Sequence, residues 1–261
     1  MYKKNNYFVN KTLFNKKIKY GFFSKIGGLS SKNFFSLNCS LSSGDKKNLV
    51  KKNINIAKKK LFLSDHKLKI LDQTHSNKVI IINKNNLKES IKADGSITSE
   101  KNIALAILTA DCAPIFIYDS DSNFICCLHA GWKGCLKNIV KEAFLKIKKI
   151  QKNPNKLNAI IGPCLARKNF EVDRKFKDIF LKKNHKYKIF FSRILKSNKY
   201  LFDMRGIIKM QLRDCSIKKI SNIKIDTYAN HQFFFSHRRS FHQNNLPTGR
   251  MINIIAFNSF K

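Results

Sequence analysis

Short apolar runs, each bounded by polar residues, dominate the middle of the chain and constrain its fold most. Four of them span residues 79–82, 103–108, 114–118 and 124–128, with Asp, Asn, Ser or Gly at their ends. Runs of this length with such boundaries predict β-strands. A fifth run at 157–161, ended by Gly162 and Pro163, predicts another buried strand.

Helical patterns alternate with these strands. Residues 46–61 have helical spacing with Asp45 as the expected N-cap, and a second helix is expected to start after Trp132 and run to about residue 150. The other expected elements are strands at 18–26, 223–228 and 252–257 and helices at 173–183 and 203–214, the last capped by Asp203. No long linker or repeat interrupts the pattern. It predicts one mixed α/β (α+β) domain over residues 1–261.

The charge is strongly positive. Lys and Arg number 52 against 16 Asp and Glu, which gives a formal net charge of +36. Only eight of the 52 are Arg, the residue that nucleic-acid readers use for bidentate base and phosphate contacts. We therefore interpret the charge as a compositional bias, although so strong a field would bind polyanions at low salt.

The remaining composition favours a protein of the reducing cytoplasm. Seven cysteines are an odd number, and the adjacent Cys126 and Cys127 would point to opposite faces of a strand. Neither fact suggests a disulfide framework. No apolar stretch is long enough to span a membrane, and the basic N-terminus is not followed by a secretory apolar core.

Three segments place a metal-ligating side chain at the edge of a predicted strand. They contribute His75, Cys112 and His129. Two imidazoles and one thiolate leave one tetrahedral position open, which is typical of catalytic zinc. The spacings match no zinc-finger pattern. Each residue alone also fits a structural role: His75 as a surface residue, Cys112 as a small buried thiol and His129 bonded to a carbonyl.

The surrounding residues predict an anion pocket. Glycines follow His129 at a strand-to-helix turn, where free N–H groups favour an anion, and Lys133 adds positive charge there. Arg238, Arg239 and Arg250 are concentrated in a chain that otherwise uses Lys, which indicates bidentate anion binding or stacking. A solvated turn is the alternative for these arginines.

Taken together, these segments resemble the YfiH-type laccase-domain family in order and spacing. The N-terminal segments 27–30 (GGLS) and 36–38 (SLN) also resemble it. The main matching segments are 72–75 (DQTH), 93–95 (ADG), 108–114 (LTADCAP), 129–134 (HAGWKG), 161–164 (IGPC), 170–172 (FEV), and 235–239 (FSHRR) with 248–250 (TGR). The resemblance spans almost the whole chain, and HAGWKG and TADC are its specific elements.

The resemblance implies a CNF1/YfiH-like fold with mixed β-sheets sandwiched by helices. It implies zinc-dependent phosphorolysis of adenosine, inosine or methylthioadenosine, with adenosine deamination as a companion activity. His75, Cys112 and His129 would be the zinc ligands. Asp111 and Lys133 join Cys112 as catalytic candidates, Asp111 as the nearest acid or base by sequence or as a residue that orients a ligand. The three clustered arginines would bind phosphate.

Members of this family have also been labelled multicopper polyphenol oxidases. Such an oxidase needs a blue-copper site and a trinuclear cluster supplied by His-x-His pairs. This chain has seven histidines and no His-x-His. Zinc is therefore the expected cofactor, with copper less favoured.

Two other functions stay open. One is a hydrolase that edits a peptidoglycan precursor at the same site; the other is a basic nucleic-acid-binding protein without catalysis. Against the latter stand the scarcity of Arg outside 238–250 and the lack of an RNA-binding motif. We expect a monomer or homodimer that binds purine nucleoside and phosphate, with no membrane and no specific nucleic-acid partner. Ile54 follows Asn53 where family members often carry Arg.

Overall fold

The computed structural model describes residues 2–4, 6–9, 16–244 and 246–258, the first of these ranges by its backbone alone. The strands within them are β1 (Tyr2–Lys4), β2 (Tyr7–Val9), β3 (Ile18–Phe23), β4 (Lys67–Ile70), β5 (Val79–Ile81), β6 (Gly95–Thr98), β7 (Ile103–Thr109), β8 (Ala113–Asp119), β9 (Ile125–Ala130), β10 (Leu157–Ile161), β11 (Glu171–Val172), β12 (Phe191–Arg193), β13 (Tyr200–Phe202), β14 (Lys219–Asn222) and β15 (Met251–Phe257). The α-helices are α1 (Lys47–Lys60), α2 (Trp132–Leu136), α3 (Ile139–Ile147), α4 (Arg174–Lys183), α5 (Met204–Asp214) and α6 (His237–His242). None of these helices is long and apolar enough to cross a membrane.

Two six-stranded sheets form the centre of the molecule. The first has the order β1-β2-β3-β15-β7-β4 and the second the order β14-β10-β8-β9-β6-β5. Neighbouring strands are antiparallel except for the parallel pairs β4–β7, β5–β6 and β10–β14. Each sheet is therefore mixed, as expected from strands that alternate with helices.

The sheets pack face to face because both faces of their central strands are apolar. Phe116 of β8 stacks on Phe22 of β3 with ring centroids 4.5 Å apart, so this layer lies between the sheets. Ile115 and Cys126, which alternate with Phe116 and Cys127 along β8 and β9, belong instead to a second core. The opposite orientation expected for the two adjacent cysteines is confirmed.

Helices cover the two outer faces. Ala57 of α1 shares a core with Ala104 and Ile252 of the first sheet, whereas Val140 of α3 lies in the core on the outer face of the second sheet together with Ile208 of α5. The result is a helix–sheet–sheet–helix sandwich, which confirms the mixed α/β class.

A third, three-stranded sheet adjoins this sandwich. Its order is β11-β13-β12, and with α4 it encloses a dense aromatic cluster. Phe176 stacks on Phe180 at 5.1 Å and contacts Phe202 edge-on at 5.1 Å. This cluster supplies one wall of the site described below.

Three details of the sequence prediction are wrong. The single helix expected between Trp132 and residue 150 is two helices, because Asn138 adopts a left-handed backbone (φ 57°) and its side chain caps α3. The N-cap of α1 is Lys46, since the Asp45 carboxylate instead accepts hydrogen bonds from Ser30 Oγ and Asn38 Nδ2.

The third concerns residues 223–228. The strand expected there lies at Lys219–Asn222, and the following residues form a loop. The Asp226 carboxylate holds this loop by accepting hydrogen bonds from Ala166 N, Asn169 Nδ2 and Tyr228 N. Backbone hydrogen bonds to residues 161–164 continue along the loop, but they form an isolated bridge between Cys164 and Asp226 rather than a continuous strand.

Candidate metal centre and adjoining cavities

The fold brings His75, Cys112 and His129 together. His129 lies near the end of β9, Cys112 in the tight connection between β7 and β8, and His75 in the loop after β4. Each of the three side chains offers a ligand atom within 4.8 Å of the others. Among the described residues, this is the one group of three or more His, Cys, Asp or Glu side chains that could hold a metal ion.

The geometry fits a small tetrahedral cation. Zinc lies about 2.3 Å from thiolate sulfur and about 2.0–2.1 Å from imidazole nitrogen, so the two atoms would be about 3.6 Å apart at a tetrahedral angle. Cys112 Sγ and His75 Nε2 are 3.8 Å apart. The rings of His75 and His129 are nearly perpendicular, with centroids 4.9 Å apart. The three donors could therefore close on one ion with little movement.

Asp94, directly before β6, organises both histidines. Its fully buried carboxylate accepts a hydrogen bond from His129 Nδ1 at 2.8 Å and another from His75 N at 3.0 Å. The backbone N–H and hydroxyl groups of Thr74 and Ser76 donate four more. A donated Nδ1–H leaves Nε2 of His129 free to bind a metal, the arrangement that orients metal-binding histidines in general.

Backbone conformation adds to this organisation. His75 and Asp111 have positive φ values of 57° and 83°, a region that costs non-glycine residues of order 1–3 kcal/mol. The Asp94 carboxylate holds the His75 N–H, and a Cβ at Gly131 would lie 2.9 Å from Cys112 Sγ and 3.0 Å from His75 Cδ2. Only glycine leaves room for both ligands at that place.

When no metal is bound, the Cys112 thiol and the His129 imidazole shift each other's pKa. Burial alone would raise the pKa of Cys112, but the charges of His129 and His75 lower it to about 6. Burial alone would lower the pKa of His129, but Cys112 and Asp94 raise it to about 9. At neutral pH the pair is therefore thiolate and imidazolium, and the thiolate form is the one that binds metal.

Two cavities adjoin the cluster and share a wall made of His75, Ala110, Cys112 and His237. The first, of about 670 Å³, is the aromatic cavity; its rings are those of Trp132, Phe170, Phe176 and Phe241. The second, of about 630 Å³, is the arginine cavity; it is also lined by Arg250, His129, Ser40, Ser42 and Gln73. Ile54 lines the arginine cavity as well. Cavities of this size suit small-molecule ligands.

The structure separates the basic residues that the sequence suggested would act together. Arg250 faces the arginine cavity, and Arg238 faces the aromatic cavity, where it lies 5.4 Å from the Phe170 ring centroid. The Arg239 guanidinium donates instead to the carbonyls of Thr227, Tyr228 and Phe234.

The other two candidates also have defined positions. Lys133 is exposed, with Nζ 5.5 Å from the Trp132 ring, and lines neither cavity. The Asp111 carboxylate borders the aromatic cavity and accepts hydrogen bonds from Thr227 Oγ1, Ser236 Oγ and Arg238 N. These bonds tie the Cys112 connection to the start of α6.

Sequence reasoning missed two residues of the site. Asp94 gave no local signal of a link to His75 and His129, although it stands in a segment that resembles the family. His237 lines both cavities, and burial followed by the charge of Arg250 lowers its pKa. The adjacent arginines drew attention to that segment, but no pattern singled out the histidine.

Known proteins resemble the chain throughout its length. A purine nucleoside phosphorylase of Rickettsia conorii is 40% identical over 177 residues, 66% of this chain and 71% of that protein. The purine nucleoside phosphorylase YlmD of Bacillus subtilis is 32% identical over 255 residues, 93% of this chain and 89% of that protein.

Solved structures show the same fold. The YfiH protein of Bacillus licheniformis superimposes with a TM-score of 0.84 at 27% identity, covering 92% of this chain and 93% of that one. The Neisseria meningitidis protein NMB0706 gives a TM-score of 0.87 at 24% identity, with 98% and 100% covered.

A family model confirms the resemblance seen in the sequence motifs. It is described as multi-copper polyphenol oxidoreductase laccase, and it matches residues 19–258. The chain therefore belongs to this laccase-like family, the family of the YfiH and YlmD proteins.

Proposed function

We propose that the protein is a zinc-dependent purine nucleoside phosphorylase that converts adenosine, inosine or methylthioadenosine and phosphate to the free base and ribose 1-phosphate. The observation that carries the proposal is the His75–Cys112–His129 cluster in the wall between an aromatic cavity and a cavity with a guanidinium. A nucleoside needs an apolar surface for its base, and phosphate needs a cation. Relatives named purine nucleoside phosphorylase support the same reaction.

Zinc suits this donor set better than a set of coppers. Four coppers would need several further histidines, and the described residues form one cluster of metal-ligating side chains. His75, Cys112 and His129 would hold one zinc ion with a position open to substrate or water. When bound, zinc would act as a Lewis acid that polarises an oxygen.

The chain's own residues would bind and orient the reactants. In phosphorolysis a phosphate oxygen forms a bond to C1′ of the ribose, the C1′–N9 bond breaks, its electron pair leaves with the purine, and the base takes up a proton. Arg250 is the guanidinium best placed to hold phosphate. Arg238 is placed to contact a ligand in the aromatic cavity, whereas Arg239 and Asp111 would stabilise the loops.

Deamination of adenosine, the companion activity that the resemblance implies, would use the same cluster. It needs an acid or base beside the attacked purine carbon. His237 faces both cavities, while the Asp111 carboxylate is already bonded to three donors. We therefore assign any such proton transfer to His237 rather than to Asp111.

The test combines metal content with turnover on one sample. Mass spectrometry should find about one zinc per chain, and chromatography should find adenine and ribose 1-phosphate from adenosine and phosphate. Inosine or hypoxanthine would report deamination. His75→Ala and Cys112→Ala should lose both zinc and turnover, whereas His185→Ala, a change at an exposed histidine outside both cavities, should keep them. Stoichiometric zinc without turnover, or turnover that requires copper, would refute the proposal.

A further inference from the structure

The two cavities differ in the chemistry of their walls although they share four residues. Seven large apolar side chains line the aromatic cavity: Trp132, Leu165, Phe170, Val172, Phe176, Met204 and Phe241. The described residues of the arginine cavity include no Phe, Tyr or Trp. A flat heterocycle gains contact with rings, and a phosphate does not.

The aromatic walls are held rigidly on one side and are open on the other. The Trp132 ring lies 5.1 Å from that of Phe176, which is fixed by the buried Phe180 and Phe202. Phe241, on α6, borders the same cavity and is 60% exposed. An exposed ring at the mouth of a ring-lined cavity could cover a base that enters it, and this contact would remove apolar surface from water.

The Arg250 guanidinium, in the arginine cavity, has no carboxylate among its hydrogen-bond partners in the described residues. Arg250 Nη1 donates to the carbonyls of Thr248 and Gly249, and no described residue accepts a hydrogen bond from its Nε or Nη2. The side chain is partly buried, and burial lowers its pKa. A desolvated guanidinium without a carboxylate partner gains most from an oxyanion, which it can bind through two parallel N–H groups.

We propose that the two cavities divide the substrate, with the purine base in the aromatic cavity beside Trp132 and Phe241 and the phosphate in the arginine cavity on Arg250. This division rests on the proposed function. It places the bond between base and sugar at the shared wall of His75, Cys112 and His237. Phe241 then determines how tightly the base binds, and Arg250 how tightly phosphate binds.

Trp132 makes the division measurable without turnover. It is the only tryptophan in the chain and lines the aromatic cavity. Adenine titrated into the zinc-loaded protein should quench tryptophan emission in a saturable way, after correction for absorption with a free tryptophan derivative. Inorganic phosphate alone should change this emission little, because its site lies in the other cavity.

Two variants should separate the cavities. Phe241→Ala should raise the dissociation constant of adenine about tenfold, since stacking on an aromatic side chain contributes that order of affinity, and should leave the KM for phosphate within twofold. Arg250→Gln should do the opposite, raising the KM for phosphate at least tenfold while adenine binding persists. Controls are Phe62→Ala and Arg213→Gln, changes at exposed residues outside both cavities.

The outcomes also separate this proposal from the proposed function. Adenine quenching that depends on Phe241, in a protein without phosphorolysis, would uphold the base site and refute the reaction. Turnover of adenosine without any quenching by adenine would refute the division and leave the reaction intact. Quenching lost in Arg250→Gln but unchanged in Phe241→Ala would place the base in the other cavity, and would likewise overturn the proposal.

Discussion

Replacing Asp94 by asparagine tests whether this carboxylate organises the candidate metal centre. The change keeps the shape of the side chain, which is fully buried and accepts six hydrogen bonds. Hydrogen bonds from His129 and Ser76 outweigh burial and hold the pKa of Asp94 well below its ordinary value, so the wild-type side chain is a carboxylate at neutral pH. Asparagine keeps one acceptor oxygen and replaces the other by a donor.

The less costly orientation of the introduced asparagine turns its amide toward His129. It then keeps the four bonds from Thr74 and Ser76 and loses those from His75 N and His129 Nδ1. The charged bond from His75 N is lost outright and the charged bond of His129 is exchanged for a neutral one; at about 1.5–3 kcal/mol for a charged bond and about 1 kcal/mol for a neutral one, the free energy of unfolding should fall by about 2–5 kcal/mol. The new N–H also donates to Nδ1 of His129 and places the ring proton on Nε2. Metal affinity should therefore fall about 10–100-fold, as it does when such a partner is removed elsewhere.

Urea unfolding of the metal-free protein and competition with a chelating dye measure the two effects separately. Asp65→Asn, a change at an exposed carboxylate, is the matched control and should alter neither quantity. If Asp94→Asn changes the free energy of unfolding by less than about 1 kcal/mol, or binds zinc within twofold of the wild type, the reasoning from hydrogen bonds to ligand orientation is wrong.

Four further predictions concern separate parts of the site. Gly131→Ala should weaken zinc binding at least tenfold because its Cβ would lie 2.9 Å from Cys112 Sγ, whereas Gly134→Ala, whose Cβ would meet nothing closer than 3.5 Å, should bind zinc normally; equal affinities would contradict the steric argument. In metal-free protein, iodoacetamide should modify Cys112 alone among the seven thiols, with half-maximal rate near pH 6, and zinc should protect it. The lowered pKa of Cys112 contributes stability that is fully present above pH 9 and is lost as pH falls to about 6, whereas the raised pKa of His129 contributes stability that is fully present below pH 6.5 and is lost as pH rises to about 9. The two opposing slopes nearly cancel, so this pair should change the free energy of unfolding of the metal-free protein by less than about 1 kcal/mol between about pH 6 and 9; a steep pH dependence that Cys112→Ser removes would contradict a thiolate–imidazolium pair. Arg239→Lys should lower the free energy of unfolding by about 1–3 kcal/mol, since buried carbonyls lose their donors, and should leave the KM for phosphate unchanged; a large rise in that KM would restore Arg239 to the binding site.

Local patterns were enough to predict seven of the fifteen strands described, including the central strands of both six-stranded sheets, and the identity of the three candidate ligands. The apolar run at 157–161 became β10 without a change of boundary, because buried strands need little beyond continuous apolar residues between turn residues. The helix after Trp132 was predicted as one element, since the left-handed conformation of Asn138 that divides it leaves no trace in apolar spacing. Elements that depend on continuous apolar spacing were therefore predicted correctly, whereas a break that depends on the backbone conformation of one residue was not.

Tertiary structure decided which of the candidate residues face one another. Arg238 and Arg239 are adjacent in sequence, but successive residues of a helix point about 100° apart, so one guanidinium borders a cavity and the other binds three loop carbonyls.

Short-range patterns of apolar and polar residues were sufficient to predict the mixed α/β class and the chemical types available to the site. The role of Asp94 depends instead on the pairing of β6 with β9, which places it beside His129 from 35 residues away. The two cavities depend on how α6 and the third sheet pack beside the shared wall. Such contacts are set by the packing of the whole molecule, which no local pattern encodes.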